Sequence, residues 1–168
     1  LWLDKTMTYS SALYQDQSLS LEAAQTAKYA RIADQIGLTD GKSVLEIGCG
    51  WGGFAEYAAK ERGANVTCLT ISPSQREWAL ERIQREGLSE KVDIRLEDYR
   101  DHQGQYDGVA SIEMFEAVGE RYWRTYFERL SGQLASAGKA VIQTITVDAG
   151  TREDRSIGRR WGRRPVNV

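Results

Sequence analysis

Short apolar runs recur along the chain and predict a buried β-sheet. The run "SVLEI" is nearly all apolar, which is typical of a parallel strand covered on both faces. "KVDIRL" instead alternates apolar and polar residues and gives a weaker strand signal. We predict five strands, at residues 43–47, 65–70, 91–96, 106–112 and 139–147.

Between these runs, four segments have helical patterns, at residues 21–36, 52–62, 73–86 and 121–134. Ser20 predicts the N-cap of the first helix, and Pro73 suits the first turn of the third. Gly63 and Gly87 mark the ends of the second and third helices. In the fourth helix we predict a buried stripe with 4-3-4 spacing, formed by Trp123, Phe127, Leu130 and Leu134.

The alternation of strands and helices predicts an α/β fold with a Rossmann-like, doubly wound, mainly parallel sheet and right-handed crossovers. The length of 168 residues suits one domain. We divide the chain into an irregular, hydroxyl-rich segment (1–20), the sheet-forming core (21–147) and an Arg-rich tail (148–168). The tail has six arginines among its last seventeen residues. We interpret it as a solvated tail, and the alternative is a basic arm that touches anionic lipid or nucleic acid.

Composition excludes several function classes. Apolar residues make up 41% and charged residues 27%, and the net charge of −2 provides no basic field for nucleic acid. No apolar run approaches the roughly 20 residues of a membrane span, and no secretory signal is seen. Cys49 and Cys68 fall in a predicted loop and strand, which indicates reduced thiols in a cytosolic protein. The chain begins at Leu1 rather than Met, which indicates a fragment or a processed chain.

A glycine-rich loop follows the first strand and predicts a nucleotide-like ligand. Gly48, Gly50 and Gly53 match G-x-G-x-x-G, which alone is a weak sign of a dinucleotide site. Glu46 lies two residues before the first of these glycines. An acid at this point is typical of S-adenosylmethionine-dependent methyltransferases, in which it can meet the cationic end of the cofactor. The less favoured alternative for Glu46 is a carboxylate that only stabilises the turn.

The end of the second strand also disfavours a nicotinamide cofactor. A dinucleotide site has Asp or Glu about 20 residues after the glycines. Here the strand ends with Thr70, Ile71 and Ser72. Gln75 and the two hydroxyls could bind ribose through neutral hydrogen bonds instead. Ser72 also suits the N-cap of the helix that begins at Pro73, and both roles are compatible.

Several motifs in order give the chain a specific resemblance. "LDKTMTYSSALY", "VLEIGCGWGGFAEYAA", "LTISPSQ", "DYRD", "SIEMFEAVG" and "IQTIT" together resemble the cyclopropane-fatty-acyl-phospholipid synthase and mycolic acid cyclopropane synthase family, from residue 1 to about 147. The resemblance implies a class I methyltransferase fold. It also implies methyl transfer from S-adenosylmethionine to the cis double bond of a phospholipid acyl chain. Loss of a proton from the new methyl group then closes a cyclopropane ring, and bound bicarbonate takes that proton.

The resemblance assigns cofactor contacts to twelve positions, with Ile112 closing the adenine side. They are Tyr9, Ser10, Glu46, Gly48, Cys49, Gly50, Thr70, Ile71, Gln75, Asp98, Tyr99 and Ile112.

Four further positions correspond to the bicarbonate site of the family. Glu116 matches a buried glutamate and Ile145 a residue that contributes its backbone. Many members have Cys at the position of Ser11 and His at the position of Gln143. These two replacements leave the identity of the anion, and the product, open. We expect His102 to be solvent-exposed and not a base, and we find no metal-ligand cluster.

The C-terminal part departs from the resemblance. Family members continue past the fifth strand with more helix, two more strands and a catalytic tyrosine, so we expect a truncated chain that lacks the last strands. The alternatives are an S-adenosylmethionine-binding fragment without turnover, a lipid methyltransferase that does not close the ring, and a nicotinamide-binding domain. The cysteines indicate a cytoplasmic protein and the net charge indicates no nucleic-acid partner, while the resemblance implies peripheral contact at the inner membrane surface. It leaves a homodimer open.

Overall fold

The computed structural model describes residues 3–146, which form a parallel sheet flanked by helices. The strands are β1 (Ser43–Ile47), β2 (Asn65–Thr70), β3 (Val92–Leu96), β4 (Tyr106–Ile112) and β5 (Leu134–Gln143). The helices are α1 (Leu21–Ile36), α2 (Gly53–Arg62), α3 (Pro73–Arg85) and α4 (Trp123–Gly132). Two short 3-10 turns, Phe115–Ala117 and Glu120–Tyr122, precede α4.

The sheet order is β3-β2-β1-β4-β5, and every neighbouring pair is parallel. The chain moves outward from β1 through β2 to β3 and then returns to the other side of β1 with β4. This reversal confirms the predicted doubly wound fold. It also places a switch point beyond the carboxyl ends of β1 and β4, where ligands bind in sheets of this kind.

The central strand β1 sends alternate side chains into two apolar cores. Val44 belongs to the core that contains Ile32, Phe54 and Ile83, under α1 to α3. Leu45 belongs to the core on the opposite face, which includes side chains of α4. Because successive side chains of a strand point to opposite faces, Glu46 lies on the α1–α3 side.

The helix boundaries depend on local capping, and most were predictable. The Ser20 hydroxyl accepts a hydrogen bond from the N–H of Ala23 at 3.2 Å, so it caps α1 as predicted. The Ser72 hydroxyl accepts from the N–H of Gln75 at 3.3 Å and caps α3. Gly63, at φ 67°, ends α2 in the left-handed conformation that glycine adopts easily.

The prediction for the fourth helix was partly wrong. The second 3-10 turn, Glu120–Tyr122, occupies its first two predicted residues, so α4 begins at Trp123 and buries Tyr126 and Leu130. Phe127 is 47% exposed and packs against Phe115, with the ring centroids 5.4 Å apart. The fourth residue of the predicted stripe, Leu134, is the first residue of β5.

The fifth strand also begins earlier and ends earlier than predicted. Its start lies in the small-residue stretch "LASAG", which shows no apolar run. The register against β4 shifts between Tyr106 and Gly108, and Ala137 has φ 65°. At Gly138 a Cβ would lie 3.0 Å from a backbone oxygen of Tyr106, so glycine allows the irregular pairing.

His102 is buried, which corrects the expected solvent exposure. Its side chain stacks on Tyr106 and is 1% exposed. Nδ1 lies 3.1 Å from a carboxylate oxygen of Glu97, and Nε2 lies 2.8 Å from the hydroxyl of Tyr106. Burial is possible because both polar ring atoms have partners. His102 is therefore a structural residue of the loop between β3 and β4.

Parts of two segments defined from the sequence lie outside the described residues 3–146. The Arg-rich tail (148–168) lies there, as do the first two residues of the N-terminal segment. Within residues 3–146, no helix is both long enough and apolar enough to cross a membrane.

Candidate active site

The loop between β1 and α2 brings its backbone close to the switch point, where three of its residues are glycines. Gly48, Gly50 and Gly52 have φ values of 81°, 52° and 79°, a region that residues with a side chain rarely adopt. A Cβ at Gly48 would lie 2.7 Å from Cγ of Met114, so the site also requires glycine sterically. A Cβ at Gly50 would lie 3.1 Å from the ring of Tyr9, which covers the loop.

The amides of this loop divide into two groups. The N–H groups of Gly48 and Cys49 donate to the carbonyl of Leu69, at 3.0 and 3.1 Å, and tie the loop to β2. In the part of the chain that the structure describes, the N–H groups of Gly50 and Trp51 donate to no protein acceptor. They can receive a ligand acceptor at the start of α2, where the helix dipole also favours negative charge.

Residues 6–10 of the N-terminal segment form one wall of the cleft above the loop. They are anchored to α1 and α3. The Thr8 and Tyr29 hydroxyls form a hydrogen bond, and Arg82 donates to the carbonyl of Thr6. Gln25 donates to the carbonyl of Ser10 at 2.8 Å. From this position the segment would cover a ligand bound at the loop, which is the role that the sequence predicts for it.

Glu46 lines the cleft and is a buried acid. Its side chain is 3% exposed, and the Cys68 thiol donates to it at 3.7 Å. Burial raises the pKa of Glu46 to about 8, although the Cys68 hydrogen bond and the charges of Lys28 and Arg82 oppose this effect. Because ionisation is unfavourable here, a cationic ligand group beside Glu46 would stabilise the carboxylate. This environment fits the sulfonium and ammonium groups of S-adenosylmethionine.

Lys28 is a buried charge that the sequence interpretation missed. It lies on the core-facing side of α1, is 4% exposed and donates to the Ser10 hydroxyl at 2.7 Å. Burial lowers the pKa of Lys28 to about 8 despite the nearby carboxylates of Glu113, Glu46 and Asp4. The sequence does carry a signal, because a lysine four residues before Ile32 interrupts the apolar stripe of the helix.

The residues predicted at the end of β2 lie together. Thr70 donates to the Gln75 side chain at 3.0 Å, and the N–H of Ser72 donates to the Thr70 hydroxyl at 3.1 Å. Gln75 in turn donates to the Tyr9 hydroxyl at 3.3 Å. Ile71 follows the strand and is mostly exposed. These neutral donors and acceptors are those expected in place of the missing acid.

Asp98 and Tyr99 follow β3, and both already have protein partners. Asp98 accepts from the backbone and the side chain of Arg100, each at 2.9 Å. The Arg100 hydrogen bond lowers the pKa of Asp98. Tyr99 packs edge-on against Tyr126, with centroids 5.5 Å apart. Ile112, at the end of β4, lines the cleft as the prediction requires, whereas Asp98 and Tyr99 lie beyond its lining.

The four predicted bicarbonate positions form two separate contacts. Glu116 Oε1 accepts from the N–H of Ile145 and from the Thr144 hydroxyl, while Oε2 is buried and has no partner within the described residues. Ser11 and Gln143 instead both donate to Glu113, which the sequence interpretation missed.

No metal site is formed by the described residues, in which no three His, Cys, Asp or Glu side chains are grouped suitably. Cys49 and Cys68 are buried free thiols, and burial raises the pKa of Cys68.

The parallel sheet, the glycine loop at its switch point and the acid at the end of β1 define a class I S-adenosylmethionine-dependent methyltransferase fold. Within that class, the chain belongs to the family described as mycolic acid cyclopropane synthetase, whose model matches residues 1–166. The nicotinamide alternative is therefore not retained.

Two relatives illustrate the similarity. The tuberculostearic acid methyltransferase UfaA1 of Mycobacterium tuberculosis is 43% identical over 153 residues, covering 87% of this chain and 36% of the relative. The cyclopropane-fatty-acyl-phospholipid synthase of Escherichia coli K12 is 43% identical over 143 residues, covering 85% of this chain and 36% of the synthase. The chain thus spans about a third of the length of these relatives.

Solved structures show the same likeness. The cyclopropane synthase MmaA2 of M. tuberculosis has a TM-score of 0.82 at 30% identity, covering 86% of this chain and 50% of MmaA2. The mycolic acid cyclopropane synthase CmaA1, solved with S-adenosylhomocysteine (SAH), has a TM-score of 0.77 at 27% identity, covering 83% of this chain and 48% of CmaA1.

Proposed function

We propose that this chain binds S-adenosylmethionine and belongs to an enzyme that methylates the cis double bond of a phospholipid acyl chain. The observation that carries the proposal is the cleft at the switch point, where the buried acid Glu46 and the Gly50 and Trp51 amides meet under Tyr9. Family membership and the names of the relatives supply the substrate class.

Bound S-adenosylmethionine would supply an electrophilic methyl group on a sulfonium sulfur. In the proposed arrangement, Glu46 faces the cationic end of the cofactor, and the loop N–H groups donate hydrogen bonds to its carboxylate or ribose oxygens. Tyr9, Thr70, Ser72 and Gln75 surround the ribose with neutral hydrogen bonds. The remaining predicted contacts, made by Ser10, Gly48, Cys49, Ile71, Asp98, Tyr99 and Ile112, complete the cofactor site.

The alkene is a poor nucleophile, so these residues act mainly by holding the two reactants in line. When the double bond attacks, its π electrons form the new carbon–carbon bond, and the adjacent carbon becomes a cation. This cation requires a nearby anion and a proton acceptor. Glu116 accepts a hydrogen bond from the backbone N–H of Ile145, and we place both residues near this cation. The resemblance implies that bound bicarbonate is the proton acceptor.

Two products are compatible with this chemistry. Loss of a proton from the new methyl group closes a ring, as the name of the E. coli synthase indicates. Loss of a proton from a neighbouring chain carbon instead leaves a methyl-branched alkene, and UfaA1 is named as a tuberculostearic acid methyltransferase rather than a cyclopropane synthase. We propose ring closure. The branched product is the second candidate because Ser11 and Gln143 replace the Cys and His that many family members have.

An acyl-chain substrate implies that the enzyme works at a membrane surface. We propose peripheral contact with the cytoplasmic face of the inner membrane, and a homodimer is compatible with it. Co-sedimentation with anionic vesicles that contain oleoyl chains would test the first point, and ultracentrifugation the second.

Calorimetric titration tests the cofactor part of the proposal. The chain should bind SAH and show no heat with NAD. Glu46→Ala should weaken S-adenosylmethionine binding by about 10- to 150-fold, since a charge-assisted contact contributes about 1.5–3 kcal/mol. The matched surface variant Glu61→Ala should bind like the wild type. A folded chain without affinity for SAH contradicts the proposal.

Turnover requires a second experiment. The chain is incubated with oleoyl-phosphatidylglycerol vesicles and methyl-labelled S-adenosylmethionine, and the lipid is analysed by mass spectrometry. Label in a cyclopropane supports the proposal, and label in a branch favours the second candidate. SAH binding without label transfer favours the binding fragment, because the chain spans only about a third of its relatives.

A further inference from the structure

Glu113 is the centre of a polar cluster between the N-terminal segment and the ends of β4 and β5. Its Oε1 accepts from the backbone N–H of Ser11 and from Nε2 of Gln143, both at 2.9 Å, and also from the Ser11 hydroxyl. Gln143 donates in addition to the Ser11 hydroxyl at 3.1 Å. The two side chains that the resemblance assigns to an external anion are therefore already engaged by a carboxylate of the protein.

The backbone at this residue is unusual. Glu113 has φ 48°, in the left-handed region that residues other than glycine seldom adopt. Its N–H donates to the carbonyl of Gln143 at 2.8 Å, which fixes the conformation at the end of the sheet. Strain of this kind is concentrated at functional sites, where the surrounding contacts hold it.

The carboxylate of Glu113 favours its charged form, and the residue is only partly buried. Burial alone would raise the pKa of Glu113, but the hydrogen bonds from Ser11 and Gln143, with the charge of Lys28, lower it overall. Oε2 makes no hydrogen bond within residues 3–146. Glu113 thus presents one free anionic oxygen while three donors hold the other.

We propose that the Glu113 carboxylate takes the place of the bicarbonate ion and is the built-in anion and proton acceptor of the reaction. The inference rests on the proposed function, since it assigns a residue to the second half of that chemistry. Both groups present a planar pair of oxygens with a negative charge, so the same Ser11 and Gln143 donors suit either. Glu116 then acts as a positioning residue for the backbone at Thr144 and Ile145.

The proposed step balances without an added reactant. After methyl transfer, the substrate carries a carbocation next to the methylated carbon. Glu113 Oε2 takes a proton from the new methyl group, and the electrons of that C–H bond form the third side of the ring. The products are the neutral cyclopropane and a protonated Glu113, which solvent then deprotonates. A carbocation is a very strong acid, so a carboxylate with a lowered pKa remains basic enough.

Anion binding tests the inference without turnover. Binding of ¹³C-bicarbonate to the 168-residue chain is followed by NMR, for the wild type, Glu113→Gly and the exposed control Glu120→Gly. The wild type and the control should show no saturable binding, because the Glu113 carboxylate already occupies the anion position beside Ser11 and Gln143. Glu113→Gly removes the carboxylate and relieves the backbone strain, so it should gain a saturable site. A saturable wild-type site that Ser11→Ala abolishes overturns the inference, as does a folded Glu113→Gly chain without one.

The wild-type and Ser11→Ala measurements decide the question if Glu113→Gly does not fold. Where the chain turns over, removal of bicarbonate should leave the wild-type rate unchanged. Glu113→Gln should lose about 100-fold or more in rate, since a general base contributes about 10²–10⁴-fold. A bicarbonate-dependent wild-type rate contradicts the inference.

Failure of the proposed function gives a different result. SAH affinity, measured by calorimetry, should change less than about threefold in the Glu113 variants, because we assign this residue no contact with the cofactor. A wild-type chain that is folded but does not bind SAH would refute the proposed function. Bicarbonate binding by a wild type that also binds SAH would refute only the role of Glu113.

Discussion

Replacing Glu46 by Gln should stabilise the ligand-free protein, and by more at higher pH. The glutamine side chain has nearly the shape of protonated glutamic acid, and it carries no charge that would have to be buried. Burial raises the pKa of Glu46 from its usual 4.5 to about 8. In the unfolded chain the side chain ionises near its usual value. Between these two values, therefore, the folded state holds a proton that the unfolded state has lost.

The sign of the pH dependence follows from linkage. Since the folded state binds more protons, the stability of the wild type falls as the pH rises from about 4.5 to about 8 and then levels. The full difference corresponds to about 5 kcal/mol, at 1.36 kcal/mol for each pH unit. Loss of the Glu46 charge also makes the nearby Lys28 ammonium more costly to bury, so we expect a net gain of about 2–3 kcal/mol at pH 8.5.

Urea unfolding of the ligand-free chain at pH 5 and pH 8.5 measures this difference. Glu46→Gln should be about as stable as the wild type at pH 5 and clearly more stable at pH 8.5. The exposed control Glu61→Gln should match the wild type at both values. A Glu46→Gln variant that is less stable at pH 8.5 would refute the reasoning, because it would mean that the folded protein stabilises the ionised acid.

Three more outcomes follow from the same contacts. Cofactor binding near pH 7 should release a proton from Glu46. Calorimetry in buffers of different ionisation enthalpy detects this release, because the observed binding enthalpy then varies with the buffer. The Glu46→Gln variant should show no such variation. Gly48→Ala should destabilise the fold by about 2 kcal/mol, because a side chain there is strained and meets Met114; denaturant unfolding checks this, and an unchanged midpoint contradicts it. His102→Phe should cost about 2–3 kcal/mol through two lost ring hydrogen bonds, and a stability equal to that of the wild type would show that the ring only fills space.

Features governed by local chemistry could be predicted from the sequence. The bounds of β1, β2 and β4 follow from apolar runs between turn residues, and the caps at Ser20 and Ser72 follow from side-chain chemistry. The glycine loop and Glu46 could be placed because an acid and glycines at fixed spacing after a strand occur in few contexts. Such signals need no knowledge of distant partners.

Features governed by distant partners could not be predicted. Glu113 meets Ser11 across 102 positions of sequence, and its position in "SIEMF" shows no periodicity. His102 is buried because Glu97 and Tyr106 satisfy its ring, and the loop composition around it indicated exposure. The start of β5 depends on an irregular register with β4 rather than on its own residues.

The anchoring of residues 6–10 to α1 and α3 has a kinetic consequence. Thr6 is held through Arg82 and Ser10 through Gln25 and Lys28, so this wall of the cleft is fastened at both ends. We expect a small molecule lodged beneath it to leave faster when these hydrogen bonds open. Local unfolding of the segment should therefore shorten the residence time of the molecule, and it should speed the exchange of spent for fresh cofactor.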